Sequence, residues 1–308
     1  MELRHLRYFV AVAEEGSLLT AAQRRLHTSQ PSLSRQIRDL EMEVGVKLLD
    51  RQARGVTLTP AGRVFLDHAR LALLQVDAAT EGARRANEPE KLVFSMGFLA
   101  GQEVVWLPHA LRILREEAPE AEITLCSKSS PDLAQALMRG TLDVAFLRPE
   151  TETVGLKFRT LAREPLIAVL PAGHRLTSRK KISSQELAEE IYISSAKAAP
   201  VLHSVVQDYA AKVGIKLKAQ YEAESLSAAM TLVASTGGLT LIPRYAQNIL
   251  TPNVVARALE GIPPTIELAL GYSEADSSPL LEKLLARADE LVSNVQDQSI
   301  LQYAESLD

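Results

Sequence analysis

"TSQPSLSRQIRDLE", residues 28–41, decides how the first fifth of this 308-residue chain is read. Leu33, Ile37 and Leu40, with Val44 just beyond, recur at intervals of four, three and four, which predicts a helix with one narrow buried face. At about 100° per residue, Pro31, Ser32, Arg35 and Arg38 fall on the opposite side. Thr28 or Ser29 can cap that helix, and Pro31 suits its first turn, where a missing N–H costs little. Upstream, "ELRHLRYFVAVAEE" lines up Leu3, Leu6, Phe9, Val10 and Ala13 on one helical face. Gly16 ends that helix, and Ser17 can cap the next, "LLTAAQRRLH", whose small Ala21 and Ala22 allow a neighbour to approach closely. Two short helices joined by a tight turn, the second with a polar outer face, predict a helix-turn-helix whose second helix enters a DNA major groove.

On that reading Gln30, Ser32 and Arg35, beside Pro31, face base edges. Arginine can grip guanine, and glutamine adenine, through paired hydrogen bonds. Ser34 and Arg38 suit phosphates. The segment "GVKLLDRQARGVTLTPAG" contains two short β-prone runs around "QARG", a wing that sets Arg51 and Arg54 along the backbone of the duplex. The net charge of −4 divides to match: residues 1–70 carry +3 and the remainder −7, a modest asymmetry.

The rest of the composition narrows the class. Hydrophobic residues make up 46% and charged residues 23%, enough to build a real core in a chain long enough for two or three domains. No apolar run approaches a membrane span, and the charged N-terminus lacks a signal peptide's apolar core, so the expected location is the cytoplasm. The single cysteine, Cys126, fits a reducing compartment. It and six scattered histidines offer no zinc spacing, and neither a metal nor a cofactor is expected.

The continuous stretch "MELRHLRYFVAVAEEGSLLTAAQRRLHTSQPSLSRQIRDLEMEVGVKLLDR", followed by "VTLTPAG", resembles the N-terminal domain of LysR-type transcriptional regulators. Its wording is similar to the branch that senses aromatic compounds, which includes regulators of benzoate, catechol and phenylpropionate breakdown. The resemblance implies winged-helix DNA binding at residues 1–59, a linker helix at 60–88 and an effector domain at 92–308. It further implies a double-stranded DNA operator, a homo-oligomer (dimer or tetramer) and RNA polymerase as a further candidate partner.

Between Pro60 and Ala86, Phe65, Ala69, Ala72, Val76, Ala79 and Ala83 recur in a heptad rhythm. That rhythm suits a helix packed on its own domain or a seam between two copies. The resemblance favours a dimer seam through Phe65, Ala69, Ala72 and Val76. The polar "RRANEPEK" at 84–91 reads as a domain boundary.

Beyond it, the apolar runs "LVFSMGF", "EITLCS", "LDVAFLR", "PLIAVLP", "EIYIS", "GLTLIP" and "IELALGYS" alternate with amphipathic stretches, which predicts α/β architecture with parallel sheets. About 200 residues suit two α/β lobes with a cleft between them, as in periplasmic solute-binding proteins. Lobe 1 is expected at 92–163 and 266–308, and lobe 2 at 164–265.

Ligands of such sheets bind at the carboxyl ends of strands, beside helix N-termini. Three loops qualify: "GFLAGQE" (97–103); "SKSSPD" (127–132), where Ser129 or Ser130 can cap the next helix; and "SSAKAAPVL" (194–202), which opens a helix near Pro200. Arg148 is placed to clamp a carboxylate, and Phe98, Phe146 and Leu202 to accept a ring. By position, the resemblance implies contacts at Gly101, Ser130, Arg148, Pro200, Val201 and Leu202. Muconate-sensing members have a hydroxyl residue in place of Gly101 and an aromatic in place of Leu202, which argues against that effector. A small organic acid, most simply an aromatic carboxylate, is expected.

An enzyme is disfavoured, since Walker, GxSxG, GxGxxG and HExxH patterns are absent and His109, His174 and His203 each stand alone. A transport receptor fits poorly with the DNA-binding head. A constitutive DNA-binding protein differs only in lacking a ligand response.

Overall fold

The computed structural model describes residues 1–52, 55–87, 92–150, 153–276 and 278–295. It falls into two units, Met1–Arg84 and Arg85–Asp308. The first begins with α1 (Leu3–Glu15), stopped by Gly16 at φ +59°, in the left-handed region that glycine enters without strain. Ser17 caps α2 (Leu18–Thr20), which continues as a π-helical turn, Ala21–Arg25. His27, at φ +48°, turns the chain towards α3 (Gln30–Val44). The Ser29 hydroxyl accepts the Ser32 N–H at 3.4 Å, and Pro31 lies in the first turn. Leu33, Ile37 and Leu40 are fully buried against Phe9, Val12, Ala21 and Ala22.

β1 (Leu49–Gln52) and β2 (Gly55–Leu58) pair antiparallel as the wing, and Val56 N–H donates to Gly16 O, tying the wing to the end of α1. α4 (Pro60–Ala86) follows. Of the residues expected in a seam between copies, Ala69 is buried in the head's own core and Phe65 is partly buried against it. Phe65 meets Phe9 edge-on at 5.1 Å, Ala69 is buried, and Ala72 and Leu73 pack beside them. The physical reason is that a heptad stripe and a face packed on its own domain share one period. Of the expected seam only Val76 lies outside that cluster. Glu14 reinforces the arrangement by pairing with Arg25 and, at 2.8 Å, with Arg70 of α4.

In the second unit, β3 (Val93–Phe98), α5 (Glu103–Glu117), β4 (Glu122–Ser127), α6 (Ser130–Met138) and β5 (Val144–Leu147) build a parallel β4-β3-β5 layer. β6 (Leu156–Pro171) then runs on into a second sheet, followed by β7 (Lys181–Ile182), α7 (Ser184–Ala188) and β8 (Tyr192–Ser194). Next come α8 (Pro200–Lys212), β9 (Ala219–Glu222), α9 (Leu226–Thr236), β10 (Thr240–Pro243) and β11 (Val254–Leu259). β12 (Thr265–Ser273) returns beside β6, and α10 (Pro279–Ala286) completes the series.

The expectation of parallel sheets holds for β4-β3-β5 and β8-β9, but β12 is antiparallel to both β5 and β6, and β10 and β11 are antiparallel to β6. A chain that crosses between two lobes and comes back must do so on strands of opposite direction. Each lobe buries both faces of its central strands. Val144 and Phe146 pack with Phe94, Met96 and Leu268, while Ala145 and Leu147 pack with Leu133 and Leu137. In the other lobe, Leu166, Ala168 and Leu170 face one cluster and Ile167 and Val169 a second.

Candidate nucleic-acid interface and interlobe cavity

On α3, Gln30, Pro31, Ser32, Arg35 and Arg38 are all exposed, on the side opposite Leu33, Ile37 and Leu40. Ser34 lies between the two faces and is buried. Its hydroxyl accepts Arg51 Nη1 at 2.9 Å and its carbonyl accepts Arg38 Nε at 3.3 Å. Expected to meet phosphate, Ser34 instead holds two arginines in place, one from the helix and one from the wing. The helix and wing are joined a second time through Glu41, whose carboxylate accepts the N–H groups of Leu48 (2.9 Å) and Leu49 (3.0 Å) and pairs with Lys47. Burial raises the Glu41 carboxyl, but the N–H bonds from Leu49 and Leu48 and the Lys47 charge more than reverse this and hold it below its usual range. The outcome is one rigid surface carrying Arg35, Arg38 and Arg51. Arg54 lies outside the described residues.

In the second unit a cavity of about 270 Å³ opens between the two lobes. Leu99, Val201, Leu202, Leu226, Ile242, Ile266 and Tyr245 supply its apolar wall, and Ser129, Ser130, Arg148, Glu150, Glu224 and Ser225 its polar groups. Three helices begin at its edge. α6 is capped by the Ser129 hydroxyl, which accepts Asp132 N–H at 3.3 Å. α9 is capped by Ser225, which accepts Ala228 N–H at 3.1 Å, and α8 starts at Pro200 without a side-chain cap. Helix N-termini carry partial positive charge, so the cavity favours an anionic group.

Arg148 is buried and its guanidinium is held within the protein by two hydrogen bonds. Its backbone N–H donates to Ser130 Oγ (2.9 Å), Nη1 to Glu267 O (2.8 Å) and Nη2 to Glu164 Oε2 (2.7 Å). Gln102 Nε2 donates to the same carboxylate at 3.2 Å and is itself fixed by Trp106 Nε1, which donates to Gln102 Oε1 at 2.9 Å. The guanidinium also lies 5.8 Å from the Tyr245 ring centre. Tyr245 Oη donates to Ala100 O at 3.0 Å, a direct bond between lobes. Burial, aided by the Glu164 and Glu103 carboxylates, pushes its phenol up to about 12 against the opposing charge of Arg148.

Two family models match the chain: "LysR substrate binding domain" over residues 88–292, and "Bacterial regulatory helix-turn-helix protein, lysR family" over 3–63. The Hca operon transcriptional activator HcaR of Escherichia coli is 36% identical over 296 residues, covering 96% of this chain and 99% of that protein. This chain belongs to the LysR family of transcriptional regulators. The HTH-type transcriptional regulator AlsR of Bacillus subtilis is 35% identical over 286 residues, covering 92% and 94% of the two chains. Among solved structures, full-length CbnR complexed with its target DNA superposes with a TM-score of 0.56 at 26% identity, covering 95% of this chain and all of that one.

In this LysR-family regulator, Ser129, Ser130, Arg148, Val201 and Leu202 line the cavity, and Gly101 and Pro200 do not. Gly101, at φ +89°, is packed under Ile249 and Tyr245, where an added Cβ would collide with the Ile249 side chain. Phe98 and Phe146 stack on each other at 4.5 Å inside the lobe 1 core and are closed to any ligand. Sequence reasoning missed Glu164, Tyr245, Gln102 and Glu150. Glu164 did leave a signal, as a charge set immediately before the apolar run "PLIAVLP". Among the described residues no helix is long and apolar enough to cross a membrane, and no cluster of His, Cys, Asp and Glu could hold a metal.

Proposed function

We propose that the regulator reads its operator through Gln30, Ser32 and Arg35 on bases and Arg38 and Arg51 on phosphates, and responds to a small organic acid held between its lobes. The observation that carries the second part is the meeting of three helix N-termini around one largely apolar cavity. Its volume lies near the lower end of the range for ligand sites, which suits a single ring or a short hydrocarbon body bearing one carboxylate. The aromatic carboxylates are the favoured class, because the largely apolar wall suits a ring. Because Arg148 is already bonded to Glu164, the anion is received chiefly by the N–H groups opening α6, α8 and α9. Cytoplasmic action as a homo-oligomer, with the outer half of α4 meeting a second copy around Val76, completes the proposal.

Two measurements test it. Arg35→Ala is expected to weaken binding to a site selected from random-sequence DNA by about 1–3 kcal/mol and to relax base preference at one position per half-site. Arg51→Ala is expected to weaken all DNA alike and to lower the salt slope by about one phosphate's share. Equal losses on selected and random DNA for Arg35→Ala would remove its base-reading role. Calorimetry with aromatic, dicarboxylic and amino acids is expected to show binding by an aromatic acid. Binding confined to neutral or cationic compounds would refute the acid reading.

A further inference from the structure

Tyr245 is the single aromatic side chain among the described residues that line the interlobe cavity. The two rings expected from sequence to receive a ligand, Phe98 and Phe146, are stacked in the lobe 1 core instead. Tyr245 lies in the 3₁₀ turn Arg244–Ile249 of lobe 2, directly after β10. It packs on the cluster that holds Ile167 and Val169, yet it is only half-buried, so part of its surface stays open.

The ring is held from several sides. Its hydroxyl donates to Ala100 O at 3.0 Å, across to lobe 1. The Arg148 guanidinium, itself tied to Glu164 and to Glu267 O, lies 5.8 Å from the ring centre. Gly101 passes so close that an added Cβ would stand 3.1 Å from the ring. A side chain with only two χ angles, already fixed at its far end, loses little freedom when a ligand settles against it.

The apolar wall around Tyr245 is aliphatic, with Leu99, Leu202, Leu226, Ile242 and Ile266. Such side chains gain by covering apolar area, whether the ring they cover is flat or saturated. An aromatic side chain adds a preference of its own. Its quadrupole favours a second aromatic ring, offset or edge-on, beyond what the buried area supplies.

We propose that Tyr245 is the specificity-determining residue of this cavity, giving an aromatic effector its advantage over a saturated one of similar size. The proposal rests on the acid-binding reading above and assigns the ring preference to one side chain.

The test is calorimetric titration of the full-length protein with two pairs of acids. The pairs are benzoate with cyclohexanecarboxylate, and 3-phenylpropionate with 3-cyclohexylpropionate. Wild type is compared with Tyr245→Phe, Tyr245→Leu and Tyr245→Met after a thermal melt confirms folding. The quantity read is the affinity ratio within each pair, which cancels effects common to both acids. Tyr245→Leu is expected to lower the aromatic-to-saturated ratio by about three- to tenfold. Tyr245→Met should do the same, and it decides the matter if the leucine variant does not fold. Tyr245→Phe keeps the ring without the bond to Ala100 O, and should hold the ratio within about twofold of wild type. A ratio unchanged in the leucine or methionine variant would overturn the assignment while leaving the acid-binding reading intact. So would a ratio lost equally in Tyr245→Phe, which would put the preference in the bond between lobes rather than in the ring. Tighter binding of the saturated acid by wild type in both pairs would overturn it as well. Failure of all four acids to bind wild type would refute the acid-binding reading itself, and this proposal with it.

Discussion

Gly62→Ala is expected to dismantle the DNA-binding head. Gly62 lies in the first turn of α4, where an added Cβ would overlap the Leu48 carbonyl oxygen and press on the Leu58 side chain. That carbonyl accepts both the Thr59 N–H (3.0 Å) and the Thr59 hydroxyl (3.2 Å), and the same hydroxyl accepts Gly62 N–H at 2.9 Å. Helix start and wing base are thus laced together through backbone atoms, which have no rotamer by which to escape. Separating them exposes the Leu48, Leu49, Leu66 and Ala69 side of the core. A cost of about 3–5 kcal/mol follows, comparable to a severe core substitution. Melting of the full chain followed by circular dichroism should show an early transition, with loss of DNA binding. The control lies on the same helix: Gly82 has nothing within 4 Å of an added Cβ, and Gly82→Ala should gain about 0.5–1 kcal/mol from helix propensity alone. Equal melting of the two variants would show that the close approach at Leu48 carries no weight.

Arg148→Ala is expected to act on the fold of the effector domain before it acts on any ligand. Among the described residues it strands the Glu164 carboxylate, 16% exposed, with Gln102 as its remaining donor, and leaves Glu267 O without the Arg148 donor. Removing one member of a buried pair costs about 3–5 kcal/mol, because the other charge stays behind. Arg148→Met combined with Glu164→Gln should recover most of that loss, since the pair's net worth is small once both charges are gone. Chemical denaturation of the two single variants and the double variant measures the coupling directly. If Arg148→Ala melts like wild type and only weakens acid binding, the guanidinium is a ligand clamp rather than a brace.

How far these features could be read in advance depends on whether a residue's surroundings are local. The faces of α1 and α3, the caps at Ser17 and Ser29 and the wing all follow from spacing within a dozen residues, and the structure has them as read. The exception is Leu3, which is exposed. Elements with polar or exposed strands were invisible. "LKFRTLARE", the first half of β6, interleaves charges with apolar residues, and β9 "AQYE" is exposed throughout. β7, β11 and α10 also escaped notice. At the cavity, Phe98 is expected from sequence to accept a ring, but strand alternation sets it on the same face as Phe94 and Met96, in the core. The partnership of Arg148 with Glu164 and of Tyr245 with Ala100 joins segments far apart in the chain, and no local pattern encodes it.

The interleaving of the lobes also sets an order of events at the ribosome. β12 lies between β5 and β6, so lobe 1 receives its central strand only after all of lobe 2 has been made. From the end of β5 at Leu147 to the start of β12 at Thr265 is close to 120 residues of chain. At about 5–20 residues per second that is a wait of roughly 6–24 s. Through it Phe146 and Leu161 lack the Leu268, Leu270 and Leu280 surface that later covers them. The head and lobe 2, each drawn from one continuous run of sequence, have no such delay. The nascent regulator therefore emerges with its DNA-reading part finished first and its lobe 1 core as the segment most in need of a chaperone.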